Sequence, residues 1–61
     1  MIKRIKPGEY KTEDGKYLIV KEWYNDLFYW DIYKDNLVVR NCETLAEAKE
    51  FVKNYIAKGG D

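Results

Sequence analysis

Several stretches in the first part of the chain are rich in β-branched and aromatic residues, and turn-forming residues separate them. Such residues favour extended backbone, so we predict strands over Glu9–Glu13, Lys16–Tyr24, Leu27–Lys34 and Leu37–Asn41. Tight hairpin turns need positive φ, which glycine supplies freely and which Asn and Asp tolerate. The turns are accordingly predicted at Asp14-Gly15, Asn25-Asp26 and Asp35-Asn36.

The last part of the chain predicts one α-helix over residues 44–58. Thr44 and Glu47 form a capping box, in which each side chain satisfies a backbone N–H left free at the helix start. Apolar residues then recur at helical spacing and form one stripe: Leu45, Ala48, Phe51, Val52, Tyr55 and Ile56. Gly59-Gly60 ends the helix. The predicted fold class is α+β, with an antiparallel β-meander of three or four strands packed on one C-terminal helix.

Residues 1–61 are predicted to form a single domain, with the meander over 9–41. Residues 1–8 are a basic lead-in that either pairs as an edge strand or stays loose.

Two-residue turns fix the strand register, and the register assigns each side chain to a face of the sheet. One face is predicted to form the core beneath the helix, with Tyr10, Tyr17, Ile19, Trp23, Phe28, Trp30, Ile32, Leu37 and Val39. The same register places Asp31 beside Arg40 on the other face, as a cross-strand ion pair.

The face of the sheet away from the helix, here called the open face, is unusually rich in apolar and tyrosine side chains. It carries Leu18, Val20, Tyr24, Leu27, Tyr29, Tyr33 and Val38 beside Glu9, Lys11, Glu22, Asp31 and Arg40. One helix covers one face of a sheet, and a solvated face is normally more polar than this. Three interpretations stay open. In the first, the open face is ordinary surface or is covered by residues 1–8. In the second, it binds protein, self-association included. In the third, it is a nucleic-acid platform.

Composition narrows the function classes. Eleven basic and eleven acidic residues cancel, so net charge supplies no long-range attraction to nucleic acid or anionic lipid. The chain holds no histidine and a single cysteine, Cys42, which excludes an internal disulfide and a structural zinc site. A lone cysteine and the lack of a long apolar stretch predict a cytoplasmic protein with no membrane partner.

Catalysis and a cofactor are not expected. Without histidine the chain has no ready proton shuttle at neutral pH. Cys42 has no base beside it in the sequence and is predicted to be a small buried hydrophobe, although a place near a helix N-terminus favours a lowered thiol pKa. Glu22 and Asp31 share a face but have no evident cleft around them, and the glycines form no phosphate loop.

The junction between sheet and helix, Cys42 to Phe51, resembles AP2-like domains, including the arm-type DNA-binding domains of tyrosine-family integrases. The matching positions are Asp14-Gly15, Thr44, Glu47, Ala48 and Phe51, whereas Cys42 stands where the pattern has phenylalanine. The resemblance covers roughly residues 9–55 and implies a sheet that lies in the DNA major groove. Phosphate contacts need a basic face, however, and here acids balance bases. In size and order of features the chain also resembles short phage and prophage proteins, some of which inhibit host defence.

The sequence therefore predicts a non-enzymatic protein-binding module, an accessory or inhibitory protein of a mobile element. The predicted protein-binding residues are Glu22, Tyr24, Tyr29, Asp31, Tyr33 and Arg40. The first alternative is an AP2-like DNA-binding domain that uses the same face with the basic residues Lys3, Arg4 and Lys6. The second is a homodimer formed through the tyrosines, with a structural role.

Overall fold

A computed structural model describes residues 2–57, which form one antiparallel sheet and one helix. The elements in chain order are β1 (Ile2–Lys6), β2 (Glu9–Thr12), β3 (Tyr17–Tyr24), β4 (Leu27–Lys34), β5 (Leu37–Cys42) and α1 (Leu45–Ala57). Each strand pairs with its neighbour in sequence, so the strand order is β1-β2-β3-β4-β5. The predicted α+β class, a β-meander packed on a C-terminal helix, is confirmed.

The second and third predicted turns are two-residue turns with positive φ at both central positions. Asn25 and Asp26 have φ of 45° and 64°, and Asp35 and Asn36 have φ of 55° and 66°. Such turns match the twist of the strands they join, which is why they set register tightly. In the β3–β4 hairpin Ile19 accordingly lies opposite Ile32, as predicted.

The first turn keeps the predicted register with a longer loop. Residues 13–16 join β2 to β3, and the Gly15 N–H donates to the Thr12 carbonyl oxygen at 2.9 Å. The Thr12 hydroxyl donates to Asp14 Oδ1 at 2.6 Å and accepts from the Tyr17 N–H at 3.1 Å. Gly15 takes a φ of 77°, which glycine adopts without strain. This loop leaves Tyr10 opposite Ile19.

The basic lead-in forms a strand of its own. β1 pairs with β2, and Gly8 between them has a φ of 82° and accepts a hydrogen bond from the Lys21 N–H at 2.8 Å. The sheet therefore has five strands rather than three or four. Because β1 lies at the sheet edge, residues 2–6 extend the open face and do not cover it.

The helix begins at the predicted cap, although the bond to the Glu47 carboxylate comes from the residue before Thr44. The Glu47 N–H donates to Thr44 Oγ1 at 3.1 Å, and Glu47 Oε1 accepts from the Glu43 N–H at 3.1 Å. The helix runs over Leu45–Ala57, within the predicted 44–58. The predicted last residue and the Gly59-Gly60 stop lie outside the described residues.

The core lies between the helix and the middle of the sheet. Its buried residues are Tyr17, Ile19, Ile32, Cys42, Ala48 and Val52. Four predicted core residues are instead exposed, namely Trp23, Phe28, Leu37 and Val39. Leu37 and Val39 lie on the edge strand β5. Trp23 and Phe28 lie beyond the row that β5 reaches at Cys42, just before the helix begins, so neither β5 nor the described helix covers them.

Candidate functional site

The register brings five of the six predicted protein-binding residues to the open face of β3 and β4. Tyr24 lies opposite Leu27, Glu22 opposite Tyr29, Asp31 opposite Val20, and Tyr33 opposite Leu18. These cross-strand rows follow one another along the β3–β4 hairpin, with Tyr24 and Leu27 at its turn.

Arg40 is the exception, and the predicted ion pair with Asp31 is wrong. A bulge in β5 inserts Val39 between two ladder pairs, so Tyr33 lies opposite Val38 but Ile32 lies opposite Arg40. One extra residue moves the rest of a strand to the other face. Arg40 therefore lies on the helix face, with its guanidinium carbon 5.0 Å from the centre of the Phe51 ring.

Asn41 takes the place opposite Asp31. Its Nδ2 donates a hydrogen bond to Asp31 Oδ1, and the Tyr24 hydroxyl donates to Asp31 Oδ2 at 2.9 Å. Asp31 is completely buried, with an exposed fraction of 0%. The backbone of Tyr24 lies two open-face rows from that of Asp31, so the Tyr24 side chain must lie along the sheet for its hydroxyl to reach Asp31. Its ring lies beside Tyr29, at a centroid distance of 5.9 Å, and covers the Asp31 carboxylate.

Two tyrosine hydroxyls are held protonated by the acids of this face. The hydrogen bond to Asp31 raises the pKa of Tyr24, and burial and the Asp31 charge raise it further. Burial raises the pKa of Tyr33, as do the charges of Glu22 and Asp31 and a hydrogen bond with Glu22. Both phenols therefore act as hydrogen-bond donors to carboxylates at neutral pH.

A shallow pocket of about 370 Å³ opens on this face, lined by Tyr24, Tyr29 and Asn41. Two of its three lining side chains are the hydrogen-bond donors to Asp31. A buried negative charge thus lies directly behind an aromatic and amide wall.

The far end of the β3–β4 hairpin, residues 22–29, projects beyond the other strands; it is called the hairpin tip here. In the described pairing, β2 reaches only Val20 and β5 only Trp30, so residues 22–29 pair only with each other. Trp23 and Leu27 are 57% and 56% exposed, and Phe28 is 50% exposed. Trp23 and Phe28 pack edge to face at 4.4 Å on the helix face.

Sequence reasoning missed the hairpin tip by placing Trp23 and Phe28 in the core. A signal was available in the predicted strand lengths. The strands predicted over Lys16–Tyr24 and Leu27–Lys34 are longer than both of their predicted neighbours. A long hairpin between two short strands must project at one end, since its last residues have no strand beside them.

The three basic residues of the DNA-binding alternative do not share a face. Arg4 lies opposite Tyr10 and so on the helix face, whereas Lys3 lies opposite Lys11 on the open face. Lys6 lies opposite Glu9, and Lys6 Nζ is 3.3 Å from Glu9 Oε2. The predicted cluster is therefore divided, and Lys11 joins its open-face part.

Cys42 is buried and its thiol is poorly suited to act as a nucleophile. Burial raises the pKa of Cys42, and the nearby charge of Glu47 raises it further. A place near the helix N-terminus favours a lower thiol pKa, but desolvation and a carboxylate in the first turn outweigh that effect.

Within residues 2–57, no group of three or more Cys, Asp or Glu side chains is arranged to hold a metal ion. The helix of this described part is not long and apolar enough to cross a membrane. Comparison with family models, with curated proteins and with solved structures gives no match.

Proposed function

We propose that this protein is a non-enzymatic protein-binding module whose contact surface is the open face of β3 and β4 together with the hairpin tip. The observation that carries the proposal is the exposure of large apolar and aromatic side chains on both faces of a projecting hairpin. Half-exposed side chains such as Trp23, Leu27 and Phe28 add little to the core of a small domain, whereas such side chains form the energetic centres of protein interfaces.

The hairpin tip also suits binding because little conformational entropy would be lost. Its backbone is held by the β3–β4 ladder and by a two-residue turn at Asn25-Asp26. Tyrosine and tryptophan have few rotatable bonds, so their contact area is ordered at low entropic cost. Glu22 and the buried Asp31 would set orientation through charge complementarity. Arg40 has no part in this role, because it lies on the helix face and the neutral Asn41 lies opposite Asp31.

The biological setting is part of the proposal. The resemblance in size and order of features to short phage and prophage proteins supports an accessory or inhibitory role in a mobile element, with a host protein as partner.

The test is capture of a partner from host lysate by immobilised protein, compared across matched variants. We expect Tyr29→Ala and Leu27→Ala to abolish capture without changing the far-ultraviolet circular dichroism spectrum. Leu37→Ala is the control, because Leu27 and Leu37 are both exposed leucines that directly follow a two-residue turn. Tyr33→Ala should act like Tyr29→Ala. Retention of full capture by the variants at Tyr29 and Tyr33 would show that the assigned face is wrong.

A second candidate function, DNA binding by the open face, is favoured by one observation. Lys3 and Lys11 lie directly opposite each other, and like charges in that position destabilise a sheet unless an anion binds there. An amide NMR titration with short random duplex DNA at low salt distinguishes the two functions. Saturable shifts on the open face near Lys3 and Lys11, reversed by added salt, would favour DNA; shifts that are absent or diffuse would favour protein recognition.

Self-association is the third candidate, since the hairpin tip of a second copy could cover the exposed aromatic side chains. Light scattering at two protein concentrations tests it. A mass of one chain at both concentrations would exclude a homodimer as the functional state.

A further inference from the structure

Basic side chains on the helix face lie over aromatic rings. Lys21 Nζ is 4.2 Å from the centre of the Phe28 ring, and Lys49 Nζ is 4.8 Å from that of Tyr10. Arg40 lies over Phe51 in the same way. Cation–π contacts of this kind satisfy the electron-rich faces of the rings and place a positive charge beside them. On the helix face, therefore, the chain supplies its own cations.

The open face has similar aromatic groups, but within residues 2–57 its lysines lie on β1 and β2 and not beside the rings of Tyr24 and Tyr29 on the β3–β4 hairpin. In the described part of the chain, no lysine or arginine lies over the ring of Tyr24 or Tyr29, and none forms an ion pair with Glu22 or Asp31. Lys6 shares the row of Asp31, but it lies three strands away, about 14 Å at the usual strand spacing, and pairs with Glu9.

We propose that the pocket lined by Tyr24, Tyr29 and Asn41 receives an arginine side chain of the partner protein. The pocket's shape and charge both suit a guanidinium group. Its volume of about 370 Å³ is open to solvent and large enough for the planar head and part of the apolar stem. A guanidinium stacks on aromatic rings and stays charged at all physiological pH values.

Asp31 does not contact the bound guanidinium but affects the pocket through the side chains that line it. Its carboxylate accepts hydrogen bonds from Tyr24 and Asn41, so it is screened from the ligand by the side chains it orients. A phenol that donates to an anion has a more electron-rich ring, which strengthens attraction of a cation to the ring face. Glu22, opposite Tyr29, adds a second negative charge beside the pocket.

The inference rests on the proposed function, because it names the chemistry of the partner at that same face. Its test uses two short peptides instead of the unidentified partner: N-acetylated, C-amidated Gly-Arg-Gly, and the same peptide with citrulline, a neutral isostere of arginine. Amide and side-chain NMR spectra of labelled protein are recorded during titration with each peptide. We expect the arginine peptide to give saturable shifts at Tyr24, Tyr29 and the Asn41 side-chain amide, with a millimolar Kd. The citrulline peptide should give none.

Charge variants separate the pocket from general attraction of a cation to an acidic surface. Asp31→Asn keeps the shape and can still hydrogen-bond with Tyr24 and Asn41, so we expect the fold to persist and the Kd to rise roughly tenfold, the effect of losing about 1.4 kcal/mol. Asp35→Asn is the control, because it removes one negative charge at a distant turn where asparagine also tolerates positive φ. If Asp31→Asn fails to fold, Glu22→Gln replaces it, with a rise of roughly threefold expected.

Equal shifts with the arginine and citrulline peptides would overturn the inference, as would equal affinities of the two aspartate variants for the arginine peptide. Neither result depends on partner capture. Loss of capture by Tyr29→Ala together with no preference for arginine would refute the arginine pocket and leave the protein-binding face standing. Arginine binding together with normal capture by Tyr29→Ala would refute the protein-binding face and leave only a pocket that binds arginine.

Discussion

The side chain that stabilises the buried carboxylate of Asp31 can be identified by mutation. In a regular β4–β5 ladder Arg40 would lie opposite Asp31, whereas the bulge at Val39 places Asn41 there. We therefore expect Asn41→Ala to be clearly destabilising and Arg40→Ala to be mild. The comparison tests the register on which the candidate site depends.

The expected magnitudes follow from the contacts. A hydrogen bond to a charged group contributes about 1.5–3 kcal/mol, and water can partly replace the exposed Asn41 side chain, so we expect its loss to cost about 1–2 kcal/mol. For a domain of this size that lowers Tm by roughly 5–15 °C. Arg40→Ala removes an exposed contact over the Phe51 ring, which is worth about 0.5–1 kcal/mol.

The assay is urea and thermal denaturation followed by tryptophan fluorescence and circular dichroism, in a double-mutant cycle with Asp31→Asn. Asn41→Ala should couple to Asp31→Asn by about 1 kcal/mol, whereas Arg40→Ala should show almost no coupling. If Arg40→Ala is the more destabilising variant and couples to Asp31→Asn, while Asn41→Ala does not, the bulge and the composition of the pocket are both wrong.

Three further predictions concern the tyrosines, the helix cap and the cysteine. The pKa values of Tyr24 and Tyr33 are raised above 10.0 in the folded protein, so the stability they contribute is complete below the pKa of the unfolded state and is lost as pH rises through the folded values. Urea midpoints measured from pH 8 to 12 should therefore fall at the alkaline end, and they should fall less steeply for Tyr24→Phe. Identical pH profiles for the two proteins would contradict the hydrogen bond of Tyr24. Thr44→Ala should lower the free energy of unfolding by about 1 kcal/mol in urea denaturation, and an unchanged value would mean that the cap contributes nothing. Cys42 should react with a disulfide reagent much more slowly in the native protein than in urea, and equal rates would show that the thiol is not buried.

Local chemistry was sufficient to predict the β3–β4 hairpin and the start of the helix. The pairs Asn25-Asp26 and Asp35-Asn36 adopt positive φ because their short side chains tolerate it, and a two-residue turn leaves one register for its strands. Thr44 and Glu47 cap the helix through contacts within a few residues. The positions of Tyr24, Tyr29 and Tyr33 on one face followed from this register and from the two-residue period of a strand.

The tertiary structure alone decided which face Arg40 occupies and which aromatic residues are buried. The bulge consists of one unpaired residue, Val39, and no glycine or other turn-forming residue beside it in the sequence indicates that a bulge occurs there. Whether an aromatic side chain is buried depends on how far the helix and β5 extend along β3 and β4. The helix of 13 residues begins just after Cys42, which lies opposite Trp30, and it does not cover the rows of β3 and β4 beyond Trp30. Trp23 and Phe28 lie in one of those rows and stay exposed. Sequence periodicity assigns a side chain to a face, but only the length and position of the packing element decide whether that part of the face becomes core or binding surface.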